Sequence, residues 1–210
     1  MIIIFNGPPA AGKDEATVQF TSRGFHHLSF KEVLIEETVK FFGTTMEWFM
    51  KDYDNRAIKE KAAVELKGLS RREALIHVSE DVIKPKFGKD FFGVKVAEKI
   101  DPDKNYAISD GGFSEEIIPI MEKIEPSEII LVQLLRDGCS YSGDSRKYFN
   151  GDVFKEYVIG STTPIHQEDL LPEKLPLYTF RIHNNGSLYE FHQSLTEIHA
   201  FTKSRMICTS

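Results

Sequence analysis

The chain has 210 residues, of which 41% are hydrophobic and 28% are charged, proportions typical of a globular protein with one sizeable core. Its formal net charge is −6, which disfavours nucleic acid and anionic membranes as partners. The opening apolar run, Met1 to Phe5, lacks a cationic flank and is too short for a signal peptide or a membrane span. The two cysteines fit a reducing compartment, so we predict a cytoplasmic location.

Predicted strands and helices alternate along the chain. The first strand is a run of large apolar residues that ends in a turn rich in Gly and Pro, and a helix over residues 12–22 follows it. The predicted strands cover residues 1–6, 26–30, 106–110, 128–135 and 177–182, and a closing helix follows the last of them. This alternation predicts an α/β fold with a parallel sheet and helices on both faces.

Residues 31–100 have an almost entirely helical pattern. The predicted helices in this stretch cover residues 31–43, 55–67, 70–83 and 90–100. We predict a single domain, residues 1–210, in which 31–100 forms a helical subdomain over the carboxyl edge of the sheet, where such folds bind ligands. Residues 137–152, rich in Gly and Ser, are predicted to be a mobile lid, and another helix is predicted over 114–124.

The segment FNGPPAAGKDEAT, residues 5–17, carries the spacing G-x-x-x-x-G-K of a phosphate-binding loop. Gly7 and Gly12 permit positive φ and close backbone approach, so that amide groups can cradle phosphate oxygens. The helix that begins near Gly12 adds its positive end, and Lys13 supplies a charge for the β and γ phosphates. A Gly/Pro turn that fits the spacing by chance is the competing interpretation.

Asp14 stands where the usual loop has the Ser or Thr whose hydroxyl binds Mg²⁺. A carboxylate at this position can hold the hydrated metal or accept hydrogen bonds from loop amides. We interpret the segment as a variant kinase loop. The residues expected to contact ATP are Gly7, Ala10, Ala11, Gly12, Lys13, Asp14 and Glu15, with Asp14 as the metal contact.

Four further positions bring chemistry to the same edge. Asp110 ends a strand and could hold Mg²⁺ through water or orient the acceptor, while capping the helix from Ser114 is the alternative. Arg136 and Arg146 flank the predicted lid, where cationic charge would stabilise a phosphoryl transition state, while an exposed loop charge is the alternative for Arg146. Arg72 could clamp an acceptor phosphate or lie on a solvated helix face.

Several motifs together resemble those of bacteriophage deoxynucleoside monophosphate kinases. They are the GKD loop, Arg72 followed by Asp81, the pair Phe91–Phe92, Asp110 with Glu116, Arg136 before the lid, and NNGSL at residues 184–188. A related likeness is to animal-type phosphomevalonate kinases. The chain departs from the phage pattern at Glu15, where Thr is usual, and at Gly112, where the family has Arg.

The resemblance implies a P-loop nucleoside monophosphate kinase fold and the ATP-dependent conversion of deoxynucleoside monophosphates to diphosphates. It implies Mg²⁺ as cofactor, small nucleotides as ligands and, for a phage protein, the host cytoplasm. The implied acceptor-binding residues are Arg72, Phe92, Asp110, Glu116 and Arg146, and the implied catalytic residues are Lys13, Asp110 and Arg136. Phe92 is expected to stack on the base, with a core position as its alternative.

Two other functions stay open on the sequence. One is a kinase for another acceptor, such as a modified base in DNA or phosphomevalonate, and the other is a nucleotide-binding regulatory module without turnover. The base preference is not fixed by the residues, and a homodimer is compatible with them.

Overall fold

A sheet of parallel strands runs through the centre of the fold. The structure, a computed structural model, describes residues 1–53, 55–125, 128–143, 146–149, 155–158 and 178–208. The strands are β1 (Ile2–Asn6), β2 (His26–Leu28), β3 (Tyr106–Gly111), β4 (Ile129–Leu135), β5 (Lys155–Val158) and β6 (Tyr178–His183). Their order is β2-β3-β1-β4-β6-β5, and every neighbouring pair is parallel. The predicted α/β class with a parallel sheet is confirmed; β5 was not predicted.

Helices fill most of the remaining described chain. They are α1 (Lys13–Thr21), α2 (Phe30–Phe42), α3 (Met46–Met50), α4 (Arg56–Lys59), α5 (Arg71–Ile76), α6 (Lys84–Phe87), α7 (Phe91–Lys99), α8 (Ser114–Lys123) and α9 (Leu188–Cys208). A π-helical segment, His77–Ile83, continues α5. The helix predicted over 55–67 is instead α4 and a short 3₁₀ turn, Val64–Leu66, which ends where Lys67 and Gly68 adopt positive φ.

Strand β1 divides the hydrophobic core into two layers, because alternate side chains of a strand point to opposite faces of the sheet. Ile2 and Ile4 pack on the layer that includes residues of α2, α7 and α8. Ile3 and Phe5 pack on the layer that includes residues of α1 and α9. All four side chains are almost fully buried, so β1 is covered on both faces, as its continuous apolar sequence predicts.

A third hydrophobic cluster holds the helical segment together. Ile35 of α2 contributes to it with Phe49, Leu66 and Leu75. Arg71 is buried beneath this cluster, where its Nε donates to the Phe49 carbonyl at 2.9 Å and its Nη2 donates to the Trp48 carbonyl at 3.1 Å. This arginine therefore ties α5 to the short helix α3.

Within the described ranges, no helix is both long enough and apolar enough to cross a membrane.

We predict that Gly93→Ala destabilises the fold, although Ala is the better helix former. A Cβ at position 93 of α7 would lie 2.3 Å from the Glu116 carbonyl oxygen of α8, so the two helices would have to separate. This overpacking costs roughly 1–3 kcal/mol and exceeds the about 1 kcal/mol that Ala gains in helix propensity. Urea unfolding should show the loss, while Val94→Ala, an exposed position of the same helix, should change stability by less than about 0.5 kcal/mol. A stabilised Gly93→Ala variant would contradict the close helix contact.

Candidate functional site

The turn between β1 and α1, residues Gly7–Lys13, is called here the glycine loop. Gly12 has φ 105° and directly precedes α1, as predicted. Gly7 is required for a different reason, because a Cβ there would lie 2.8 Å from the Leu134 carbonyl oxygen of β4. Ala10 is the second loop residue with positive φ, at 62°. Of the two properties that glycine permits, Gly12 therefore uses positive φ, whereas Gly7 uses the close backbone approach, here to β4.

The first turn of α1 and Lys13 supply the donors of the glycine loop. No side chain caps α1, and Ala16 N is the donor to the Gly12 carbonyl, so the amides that precede it in the first turn have no intrahelical acceptor. The Lys13 ammonium donates to the Gly7 carbonyl at 2.6 Å and to the Pro8 carbonyl at 2.7 Å. An anion bound at the glycine loop could attract the same ammonium, and the anion would also lie at the positive end of α1.

A cleft of about 550 Å³ opens beside the glycine loop, between α1, the edge strand β2 and the start of α2. Its charged and polar lining residues are Lys13, Asp14, Thr17, Thr21, His27, Ser29, Lys31, Glu32, Ser109, Asp110 and Arg146. Val18, Ile35 and Met50 complete the wall. The cleft thus brings Lys13, Asp14, Asp110 and Arg146 together, four of the predicted site residues, at the carboxyl edge of the sheet.

Asp110 caps the start of α2. Its carboxylate accepts from Ser29 Oγ at 2.9 Å, from the Phe30 amide at 3.0 Å and from the Lys31 amide at 2.8 Å. A carboxylate has about four lone-pair sites, so roughly one is left for a ligand. Burial raises the pKa of Asp110, and the hydrogen bonds from α2 oppose that rise. Asp110 therefore caps a helix, as the alternative interpretation has it, but that helix is α2 and not the helix that begins at Ser114.

Arg146 passes over Gly112 to reach the cleft. A Cβ at position 112 would lie 2.5 Å from Arg146 Cδ and 2.7 Å from its Cγ, so any side chain there would occupy the space of the arginine stem. The Lys147 amide donates to the Gly112 carbonyl at 3.2 Å and holds the backbone in place. The missing arginine of the sequence pattern thus coincides with an arginine that comes from a different part of the chain.

The segment 146–149 is anchored to the sheet. Phe149 is fully buried, its amide donates to Asn6 Oδ1 at 3.0 Å, and Asn6 Nδ2 donates to the Lys147 carbonyl at 2.9 Å. Phe149 of the predicted lid, 137–152, is therefore a core residue at the end of β1, while Lys147 of the same segment is exposed. Residues 144, 145 and 150–152 of the predicted lid lie outside the described residues.

Glu15 links α1 to α9. His192 Nε2 lies 2.6 Å from the Glu15 carboxylate, and Gln19 donates to the same carboxylate at 3.2 Å. The hydrogen bond from His192 lowers the pKa of Glu15. The Glu15 side chain, predicted to contact ATP, is directed to α9 instead, and its amide is the part that belongs to the first turn of α1.

Asn184, which follows β6, and Arg136, which follows β4, also contact the glycine loop. Asn184 Nδ2 donates to the carbonyl of the fully buried Ala11 at 3.0 Å. Arg136 Nη1 donates to the Ala10 carbonyl at 3.3 Å, so this predicted catalytic residue lies beside the loop.

Three predicted acceptor-binding residues lie away from the cleft lining. Phe92 is a core residue with 2% exposure, so the prediction that it stacks on a base is corrected: its ring is enclosed by the core layer that contains Ile117. Arg72 is exposed, and its Nη1 lies 3.3 Å from Glu60, which agrees with the solvated-face alternative. Glu116 is buried, and its burial, strengthened by the charge of Asp110, raises its pKa well above the usual range.

Asp14, in the first turn of α1 directly after the glycine loop, is the residue predicted to contact a magnesium ion. It lines the cleft. The described residues contain no group of three or more side chains able to hold a metal on their own. Mg²⁺ in kinases is held by one or two carboxylates together with water and the phosphates, so the metal contact of Asp14 stays a prediction.

The cleft also contains residues that sequence reasoning missed, above all His27 and Ser109. His27 Nε2 lies 3.0 Å from Ser109 Oγ, and His27 Nδ1 lies 3.3 Å from Glu32 Oε1. The pairing of β2 with β3, which places His27 beside Ala107, brings these groups together. The sequence feature that could have pointed to these two residues is the presence of polar residues at the ends of two neighbouring parallel strands.

Comparison of the sequence with protein-family models finds no match, and comparison with curated proteins finds none either.

We predict that the stability contributed by His27 depends on pH. The hydrogen bond to Glu32 raises the pKa of His27 above its ordinary value of about 6.5. The stabilisation is therefore fully present below the unfolded-state pKa and is lost as pH rises through the folded-state pKa. His27→Gln should destabilise the protein more at about pH 6 than at about pH 8.5 in chemical unfolding.

The control for this prediction is the same substitution in a Glu32→Gln background. There the ring has lost its carboxylate partner, so the difference between the two pH values should shrink. An equal effect of His27→Gln at both pH values in the parental chain would contradict the assignment of the His27–Glu32 pair.

Proposed function

We propose that this chain is an ATP-dependent kinase that converts deoxynucleoside monophosphates to diphosphates with Mg²⁺, on a P-loop nucleoside monophosphate kinase fold. The observation that carries the proposal is the cleft itself. The glycine loop, with the donors of α1 and Lys13, opens into a cavity of about 550 Å³ that also receives Arg146 and Asp110. A phosphate donor and a small phosphorylated acceptor are the ligands that suit this combination.

The donor would lie on the glycine loop. The first-turn amides of α1 and the backbone around Gly12 face its phosphate oxygens, and Lys13 exchanges its contacts with the Gly7 and Pro8 carbonyls for the β and γ phosphates. Arg136, already bonded to the loop at Ala10, adds charge on the same side. Mg²⁺, which Asp14 would hold through water, would supply charge neutralisation for the phosphates.

Transfer needs positioning more than covalent chemistry. An oxygen of the acceptor phosphate attacks the γ-phosphorus in line, a new oxygen–phosphorus bond forms, and the bond from that phosphorus to the bridging oxygen breaks to release ADP. Lys31 and Arg146, which line the cleft, could hold the acceptor phosphate in this orientation. Arg72, exposed and paired with Glu60, is a weaker candidate for that role than the sequence predicts.

A nucleotide-binding module without turnover is the second candidate. It is favoured by Glu15, which the pairing with His192 removes from the ligand side of the loop, and by the three hydrogen bonds that occupy Asp110. Both features reduce the number of groups available for catalysis. Turnover distinguishes the two functions.

The test is transfer of radiolabelled γ-phosphate from ATP to a panel of free deoxynucleoside monophosphates, with duplex DNA as a parallel acceptor. We expect label in at least one free diphosphate and none in the polymer. Label found only in DNA would move the function to a DNA base kinase. Nucleotide binding without label in any product would favour the binding module.

We predict that Lys13→Ala abolishes this transfer and leaves the fold intact. Loss of its charge at the transferring phosphoryl group should raise the barrier by on the order of 3 kcal/mol, roughly a hundredfold or more in rate. Lys40→Ala is the matched control, because Lys40 is an exposed lysine paired with Glu37 on α2. Parental turnover in Lys13→Ala would show that the glycine loop does not bind the donor.

We also predict that Gly112→Ala impairs transfer by displacing Arg146. Gly112 does not adopt positive φ, so alanine adds no backbone strain and acts through contact with the arginine stem. Gly112→Ala and Arg146→Ala should each lower kcat/KM by about tenfold to a hundredfold.

In the double variant the two losses should not add, since the second substitution removes nothing that the first left in place. Additive losses would mean that Gly112 affects the site by another route.

A further inference from the structure

A hydrogen-bonded chain from Glu32 through His27 to Ser109 lines the cleft and has no part in the transfer described above. The two contacts of the His27 ring measure 3.3 Å from Nδ1 to Glu32 and 3.0 Å from Nε2 to Ser109. All three residues are wall residues of the cleft that contains Lys13. They belong to three different elements, α2, β2 and β3, so the fold and not local sequence brings them together.

The proton positions in this chain follow from the chemistry of its members. A carboxylate only accepts, so Nδ1 of His27 must carry a hydrogen towards Glu32. When the ring is neutral, Nε2 is an acceptor, and the Ser109 hydroxyl donates a hydrogen bond to it. When the ring is protonated, Nε2 donates to Ser109 Oγ, and the hydroxyl proton turns to another acceptor. Protonation of His27 therefore changes Ser109 from a group that donates to the ring into one that can donate into the cleft.

We propose that Ser109 binds an anionic oxygen of the acceptor phosphate, and that protonated His27 sets the Ser109 hydroxyl as the donor. This inference rests on the proposed function, because it takes the acceptor to be a phosphate monoester. Ser109 follows the apolar part of β3 and directly precedes Asp110, so it lies at the carboxyl edge of the sheet, on the cleft side.

The charges around His27 explain why protonation is needed. Glu32 of α2, Asp110 of β3 and Asp14 of α1 all act on the ring with negative charge. The cations of the cleft are Lys13, Lys31 and Arg146. Next to three carboxylates, a neutral imidazole would leave the Ser109 end of the cleft unfavourable to an anion. The imidazolium offsets that repulsion and supplies the donor at the same point.

The same carboxylates favour the charged ring. Hydrogen bonding to Glu32 is the largest cause of the raised pKa of His27, and the charges of Asp110 and Asp14 add to it. The ring therefore changes charge at a pH above its ordinary value of about 6.5. Binding that needs the protonated ring should weaken as pH rises through the pKa of His27.

The experiment is calorimetric binding of dTMP and of inorganic sulfate to the full chain between about pH 6 and about pH 8.5. Sulfate keeps its double charge throughout this interval, whereas the second ionisation of a phosphate monoester falls near pH 6. The sulfate series therefore isolates the titration of the protein. We expect the affinity for sulfate to fall by about tenfold from the lower to the higher pH, whereas the affinity for dTMP combines this fall with the effect of its own ionisation.

Two variants and two matched controls assign the effect. Ser109→Ala and His27→Gln should both bind sulfate weakly, and the dependence of the affinity on pH should be lost in His27→Gln and much reduced in Ser109→Ala. His26→Gln replaces an exposed neighbour in β2 that is not among the lining residues of the cleft, and Ser22→Ala replaces an exposed serine at the end of α1. In both controls the affinity for sulfate should depend on pH as it does in the parental chain. Circular dichroism at each pH establishes that all four variants are folded.

A second measurement reports on the ring directly. By reciprocity, a ligand that prefers protonated His27 must raise the pKa of that ring when it binds. Titration of the ¹⁵N signals of His27 with and without sulfate should show this increase in the parental chain and a much smaller one in Ser109→Ala. A histidine that only supports the fold would not respond to sulfate.

The outcomes separate this inference from the proposed function. Transfer of phosphate to dTMP combined with pH-independent binding would overturn the role of Ser109 and leave the kinase proposal standing. Absence of transfer to any monophosphate, combined with pH-dependent sulfate binding that needs Ser109, would support the anion subsite and overturn the kinase proposal. If the sulfate affinity of Ser109→Ala depended on pH as strongly as that of the parental chain, the inference would be overturned, whether or not the chain transfers phosphate.

Discussion

The parallel pairing of β1 between β3 and β4 is the constraint on which the rest of the structure depends. Each of these strands ends at the same edge, so the glycine loop after β1, Asp110 at the end of β3 and Arg136 after β4 are brought together by backbone hydrogen bonds. The site residues therefore lie close together because of the strand pairing, and their side chains have only short distances to span. Asn6, the last residue of β1, extends the frame by binding the backbone of the segment 146–149, which carries Arg146 to the cleft.

The backbone frame explains what could be predicted from the sequence. The apolar strands and the glycine loop are local signals, and β1, β3, β4 and β6 begin and end within a residue or two of their predicted limits. The capping role of Ser70 at the start of α5 is equally local, because its hydroxyl and the Glu73 carboxylate satisfy each other's backbone amides. Such features depend on residues a few positions apart, so the sequence contains the whole interaction.

The features that were not predicted depend on contacts between residues that are far apart in the sequence. Arg71 and Arg72 are adjacent and chemically identical, and only the packing of α3 against α5 decides that the first is buried and the second exposed. His27 and Ser109 are 82 residues apart, and their contact requires the register of β2 on β3. Phe92 illustrates the converse error, since a resemblance suggested a ligand role for a ring that the core of this chain encloses.

The contacts of Lys13 have a thermodynamic consequence for any ligand of the loop. The ammonium is already hydrogen-bonded to two carbonyls of its own turn, so the loop is held in shape without a bound anion. Breaking those bonds subtracts from the free energy of binding, and the folded state gains less from a ligand than the number of new contacts suggests. A loop of this kind exchanges an internal cation–carbonyl interaction for an external ion pair, which favours reversible occupancy over very tight retention.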